Sequence, residues 1–309
     1  MKEEQNAGGL QQGLDLESVV STVKEATSAT PRKGSGMARV KARSQAVVEQ
    51  QSKKLNGWAE EIREAPNEIL RSALFTVGNK NRPRRHIKNE DIAVYGNCRI
   101  QYNGEELRQD DFDLWLEILH LARNVDLDQR IYFNVLDMKK ELGYPYGAKH
   151  TERLKTNLLR LKTTSVIVHS DRLGRGVSLS LVRKFEYSDE EGASRDDEWY
   201  VELEPEMTIL FGGGVYSTRI EKEQRMKLKG NLAKWLHAFY GSHKAPFDIS
   251  YKTLLTAAGS DVASEGKKRQ MIKGALDELK ECGFLKNWKL DKAGNVQVER
   301  TRYTAITKD

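Results

Sequence analysis

The clearest alternation of hydrophobic and polar positions in the chain is AKHTERLKTNLLRLK, residues 148–162. Leu154, Leu158 and Leu161 recur at helical spacing and form an apolar stripe. Lys149, Arg153, Lys155 and Arg160 lie mostly off that stripe, with Glu152 to oppose them. A β-branched run over 163–168 follows, then the turn Asp171-Arg-Leu-Gly-Arg-Gly176 and a second strand pattern over 177–182. Helix, strand, basic glycine-containing turn, strand is the order of a winged helix, a module that lays one helix in the DNA major groove and reaches the backbone with a hairpin wing. An ordinary amphipathic helix beside a surface hairpin has the same local pattern.

Repetition separates the two readings. Residues 272–280, IKGALDELK, overlay 154–162, LKTNLLRLK, at an offset of 118. Upstream, 249–259 matches 133–143 at an offset of 116, and Trp235-Leu236 matches Trp115-Leu116 at an offset of 120. Downstream, 284–290, the polar turn 291–295 and 296–300 repeat strand, turn, strand. Two copies of one supersecondary unit, each of about 100 residues, fit a normal domain size. The expected fold is therefore α+β, with two tandem winged-helix domains over 66–215 and 216–309, preceded by a flexible N-terminal tail over 1–65.

The remaining pattern fills in the elements. Residues 1–45 are rich in Gly, Ser, Thr, Ala and Gln, with a short candidate helix over 14–23 and a linker over 27–36. Ala46, Val47, Leu55, Trp58 and Ile62 are spaced for one loose helical face, which predicts a helix over 44–64 ended by Pro66. Asn103-Gly104 reads as a hairpin turn between short strands, and Asp110 or Asp111 as the cap of a helix reaching Arg123. Residues 220–240 read as one long helix bridging the copies. The glycine run 212–214 reads as a bend, because no Lys-Ser or Lys-Thr follows to make a phosphate loop.

Composition narrows the chemistry. The net charge of +6 and pI near 9.0 lean toward a polyanionic partner. No apolar run approaches the length of a membrane span and the N-terminus lacks the order of a signal peptide, so a cytoplasmic protein is expected. Cys98 and Cys282 are lone residues in different copies and make neither a disulfide framework nor a zinc site. The six histidines, at 86, 120, 150, 169, 237 and 243, include no pair flanking an apolar residue as a nickase metal site needs. No P-loop, His-Glu-x-x-His or Gly-x-Ser-x-Gly occurs. The expectation is a protein that is not an enzyme and uses no cofactor or metal.

The candidate site is a DNA interface. In the first copy Lys149, His150, Arg153, Asn157 and Arg160 can face a groove; Arg and Asn pair bidentately with guanine and adenine edges. In the second, Lys267, Lys268, Arg269, Gln270 and Lys273 occupy a helix start, where base contacts concentrate. Arg172, Arg175 and Lys292 on the wings would hold phosphates. Arg82, Arg84, Arg85 and Lys88 form a candidate arm for phosphates or a minor groove. Leu74-Phe75 either packs on the first domain or, as the last two residues of a Gln-Leu-x-Leu-Phe plug, docks on a bacterial sliding clamp.

Beyond these patterns, three phrases carry a family likeness: Ile100-Gln-Tyr-Asn-Gly-Glu-Glu-Leu107, Gln109-Asp-Asp-Phe-Asp-Leu-Trp115, and Tyr144-Pro-Tyr-Gly before the basic helix. With Gly104, Leu107, Asp110 and Trp115 as matching positions, the chain from about residue 60 onward resembles the plasmid replication initiators of the TrfA type. The resemblance implies a protein that binds direct repeats (iterons) in double-stranded origin DNA. It also implies opening of adjacent AT-rich DNA with one strand held single, and recruitment of the host initiator, replicative helicase and sliding clamp. Monomer–dimer exchange is implied as a control of copy number. A winged-helix transcriptional repressor that opens no strands is the alternative.

Overall fold

In the computed structural model the described residues are 54–79, 81–187 and 198–301. Residues 1–53 of the tail expected over 1–65, with its helix at 14–23 and linker at 27–36, lie outside them. The described elements begin with β1 (Ile62–Pro66), the short helix α1 (Asn67–Leu70), β2 (Phe75–Thr76), β3 (His86–Ile92), β4 (Cys98–Glu105) and β5 (Leu107–Arg108). Next come α2 (Gln109–Ala122), β6 (Ile131–Asn134), α3 (Val135–Glu141), α4 (Ala148–Lys162), β7 (Ser165–Ser170), β8 (Gly176–Leu179), β9 (Lys184–Glu186), β10 (Glu198–Glu202) and α5 (Met207–Phe211). The chain continues through β11 (Ser217–Glu221), α6 (Lys222–Lys227), α7 (Asn231–Gly241), β12 (Ile249–Ser250), α8 (Tyr251–Ala257), α9 (Glu265–Glu281), β13 (Leu285–Leu290) and β14 (Asn295–Arg300).

The repeat is present in the topology. β6, β10 and β9 form one antiparallel sheet in the order β6-β10-β9, and β12, β14 and β13 form another in the equivalent order β12-β14-β13. Each first strand runs straight into a short helix capped from the same position. Asn134 accepts from the backbone N–H groups of Leu136 and Asp137, and Ser250 accepts from those of Lys252 and Thr253. Gly143 and Gly259 end these helices at the same φ of 67°, a left-handed conformation that suits glycine. α4 and α9 then bury matching stripes: Leu154, Leu158 and Leu161, and Ile272, Leu276 and Leu279, are each 0% exposed. At about 1.5–3 kcal/mol per fully buried aliphatic side chain, these stripes anchor the helices to their cores.

The hairpin expected as the first wing sits elsewhere. β7 and β8 extend a separate four-stranded sheet, β3-β4-β7-β8, and the strands equivalent to β13 and β14 are β9 and β10. A whole hairpin is thus inserted between α4 and β9. Asn103-Gly104 is no turn either: β4 runs through it, and a Cβ at Gly104 (φ 147°) would meet the Thr164 backbone at 3.3 Å. The described part of the helix expected over 44–64 is also different. Ile62–Pro66 is a strand paired antiparallel with β11, and Leu55, Trp58 and Ile62 are buried in the first core. Period-3.6 spacing over a short apolar run does not exclude a strand, and here pairing with β11 decides. The expected bridge over 220–240 divides into β11, α6 and α7, broken where Leu228 and Gly230 take extended backbone.

Two cores result, one gathered around Trp115 and Tyr102, the other around Leu236, Phe239 and Leu276. Polar bonds join them. Arg225, 3% exposed, donates to Asp113 at 2.7 Å and Gln109 at 3.1 Å, and Lys234 reaches Asp113 at 2.5 Å. Trp235 donates its indole N–H to the Ser72 carbonyl at 2.9 Å, and Val77 inserts into the second core.

Candidate nucleic-acid interface

α4 presents its solvent face through Lys149, Glu152, Arg153, Thr156, Leu159 and Lys162. Lys149 has no ion-pair partner among the described residues. His150 is half-buried against the Tyr144 ring, with centroids 6.0 Å apart. Arg153 is exposed, stacks over Tyr144 at 4.5 Å and lies 3.3 Å from Asp110.

Asn157 and Arg160 do not face a groove. They are 2% and 6% exposed. Arg160 bonds Asp111 at 2.6 Å and lies 3.3 Å from Glu105, and it also donates to the Asn157 side-chain oxygen at 3.1 Å. The cause is the start of α2. Asp111 accepts from the Arg108 backbone N–H at 2.8 Å in a capping box and, wholly buried, needs cations. Arg84 supplies the second, 2.6 Å from Asp111 and 2.9 Å from Asp110, so this arm residue also turns inward. Burial first, then the Asp110 charge, push the Asp111 acid up to about 6 against the pull of Arg84 and Arg160. Burial opposes ionisation of Asp110 too, but Arg84 and Arg153 outweigh it and its pKa is lowered.

The rest of the arm is outward. Arg82 pairs with Asp261, Arg85 lies 3.9 Å from Glu106, and Lys88 is exposed on β3. Arg172 is not a phosphate contact: it bonds Glu68 at 2.6 Å, donates to the carbonyls of Ile209 and Leu210, and stacks over Tyr216. Its turn packs on α5 instead of projecting as a wing, and of the turn's two arginines only Arg175 is exposed. Leu74 and Phe75 are 2% and 3% exposed, with the Phe75 ring 4.7 Å from Phe112 and 5.6 Å from Trp115, so no clamp plug is displayed.

α9 is different. Lys267, Gln270 and Lys273 are exposed and make no ion pair or hydrogen bond among the described residues. Lys268 is held 2.8 Å from Glu265, and Arg269 stacks over Tyr251 at 4.9 Å. Hydrogen bonds from Lys268 and Tyr251 hold the Glu265 acid down to about 2. Lys292 is exposed in the β13–β14 turn. Spaced three residues apart on one face, Lys267, Gln270 and Lys273 can meet phosphates and base edges together, with glutamine able to pair bidentately with adenine.

Sequence reasoning missed the basic residues of the true first-copy hairpin. Lys184 on β9 is exposed, 2.7 Å from the Tyr200 hydroxyl, and Arg183 precedes it 2.8 Å from Glu202. Lys289 on β13 is exposed as well. A strict 2-residue alternation on β13 could have flagged Lys289; nothing short of the sheet topology flags Lys184. Among the described residues no cluster of three His, Cys, Asp or Glu could hold a metal ion, and no helix is long and apolar enough to cross a membrane.

Comparison with known proteins completes the picture. The chain is 30% identical over 232 residues to the plasmid replication initiator protein TrfA of Escherichia coli, a match covering 74% of this chain and 60% of that relative. It thus spans less than two thirds of that relative's length. Two crystal structures of RctB domains 2 and 3 align at TM-scores of 0.49 and 0.48 with 12% and 11% identity, covering 76% and 74% of this chain and 96% and 95% of those chains. The family model described as TrfA protein matches residues 22–296, and with nearly the whole chain inside that match, the chain belongs to the TrfA family.

Proposed function

We propose that this chain is a plasmid replication initiator that binds direct repeats at a plasmid origin in a sequence-specific manner, using two winged-helix modules joined by the Arg225–Asp113 contact. The observation that carries the reading is the unpartnered Lys267, Gln270 and Lys273 face of α9, on the second of two like units in a TrfA-family chain. α9 and α4 enter successive grooves, and Lys292, Lys289 and Lys184 hold phosphates. Copies bound side by side bend the DNA, and the stored deformation helps open weakly stacked AT-rich steps, one strand of which the protein then holds. The work is done by binding energy, with no cofactor and no catalytic step. The host initiator, the replicative helicase and the sliding clamp join at the opened origin, in the cytoplasm, and monomer–dimer exchange sets the active fraction. Clamp contact in this reading uses a surface other than the buried Leu74-Phe75.

The test is a gel-shift titration on a direct-repeat array against scrambled DNA of equal composition, at two salt concentrations, followed by permanganate footprinting of the adjacent AT-rich segment. A preference that persists at the higher salt, with new permanganate reactivity, is expected. Equal binding that collapses with salt for both DNAs would sink the reading.

A further inference from the structure

A cleft of about 1100 Å³ is lined by β11, the end of α7, the turn after α9 and the last residues of β14. Its walls are two strand edges. β11 pairs with β1 alone among the described residues. The Tyr216 carbonyl accepts from Asn67 and the Lys222 N–H donates to Glu61, so strand alternation aims the backbone groups of Ser217 and Arg219 away from β1 and into the cleft. β14 has a second such edge. Its last pair toward β12 is Val296 with Ile249, because β12 is two residues long. Beyond it, alternation turns the N–H and C=O of Val298 and Arg300 to that open side, where both residues line the cleft. No backbone partner for Ser217, Arg219, Val298 or Arg300 on these sides occurs among the described residues.

Side chains add a polarity. The Arg300 guanidinium donates to the carbonyls of Tyr240 and Gly241 at 2.8 and 3.3 Å and has no carboxylate partner. Lys244, exposed at the same end, has none either among the described residues. His237, 3% exposed, also lines the cleft; its Nε2 meets Gln224 at 3.2 Å, and its buried Nδ1 has no hydrogen-bond partner. Open strand edges recruit an added strand through main-chain hydrogen bonds. Glu299, also on the lining, is held 2.8 Å from Lys286, so the Lys244–Arg300 end keeps a positive charge that selects a carboxylate.

We propose that this cleft is a β-strand-addition site for an extended peptide of a partner protein, carrying an acidic group at the end that meets Lys244 and Arg300. The site is independent of the DNA-facing residues. The test is fluorescence anisotropy with the full chain and a fluorescein-labelled hexapeptide of alternating threonine and valine ending in aspartate. Saturable binding is expected, weakened roughly tenfold when the peptide is amidated and ends in lysine, and several-fold by Lys244→Gln. Arg219→Ala should bind like wild type, since only the backbone is used there. Arg219→Pro should lose binding, since proline removes the outward N–H while its neighbours keep their bonds to β1. Absence of saturable binding by the wild type, equal binding of both peptides, or undiminished binding by an Arg219→Pro chain with a native circular dichroism spectrum would each overturn the proposal. Should Arg219→Pro fail to fold, the peptide-charge and Lys244→Gln comparisons still decide.

Discussion

α4 and α9 carry the same apolar stripe and a similar load of basic residues, yet α9 keeps Lys267, Gln270 and Lys273 free while α4 turns Asn157 and Arg160 inward and holds Arg153 beside Asp110. The difference lies in their neighbours. α2 begins with Asp110 and Asp111, and those carboxylates draw in Arg84, Arg153 and Arg160. α7, which stands where α2 stands in the first copy, has no acid in its first turn, so nothing comparable draws α9 inward. The same residue type thus serves architecture in one copy and remains available for a ligand in the other. A basic residue on a helix is free to meet DNA only where the elements packed on that helix leave its charge alone.

The comparison breaks most visibly under mutation of the buried network. Arg160→Ala leaves Asp111 buried with one cation fewer, and removal of one partner from a buried pair costs about 3–5 kcal/mol. Urea denaturation should show this loss, and Lys273→Ala should shift stability by less than about 0.5 kcal/mol. If Arg160→Ala instead left stability intact and only weakened specific DNA binding, Arg160 would be a base contact and not a structural cation.

Next in size is a pH effect with a member in each half. Burial lowers the His120 imidazole from 6.5 to about 4 and that of His237 to about 3. Folded-state values below the unfolded one mean that the unfolded chain takes up protons first. The stability these neutral histidines support is complete above pH 6.5 and declines as pH falls toward 4 and then 3, by about 3 kcal/mol for His120 at one pKa unit per 1.36 kcal/mol. Urea melts at pH 7, 5.5 and 4.5 should show the decline, and His120→Gln should flatten the His120 share of it.

Smaller effects sharpen the functional side of the contrast. Gln270→Ala should cost about 1–3 kcal/mol in specific binding and relax preference at one base position, whereas Asn157→Ala should leave base preference unchanged. Competition gel shifts with single-position variants of the repeat measure both. Lys292→Ala should weaken all DNA alike and flatten the salt slope by about one phosphate contact. Equal loss of specificity from Gln270→Ala and Lys292→Ala would erase the division between base and backbone contacts.

Local signals carried far in this chain. The spacing of Leu154, Leu158 and Leu161 against Ile272, Leu276 and Leu279, and the matched stop residues Gly143 and Gly259, disclosed a duplicated unit, because periodicity and capping act within a few residues of sequence. The three TrfA-like phrases disclosed the family. What sequence could not disclose were the contacts made over long separations. That Ile62–Pro66 is a strand depends on β11, more than 150 residues away in register with it. That Lys184 rather than Arg172 lies on the hairpin equivalent to β13 depends on which sheet each strand joins. That Arg160 is a structural cation depends on a wholly buried carboxylate 49 residues upstream. Periodicity states which face of an element is apolar; the energy of burying a charge, which determines whether an arginine turns to its own protein or to a ligand, exists only once the chain has packed.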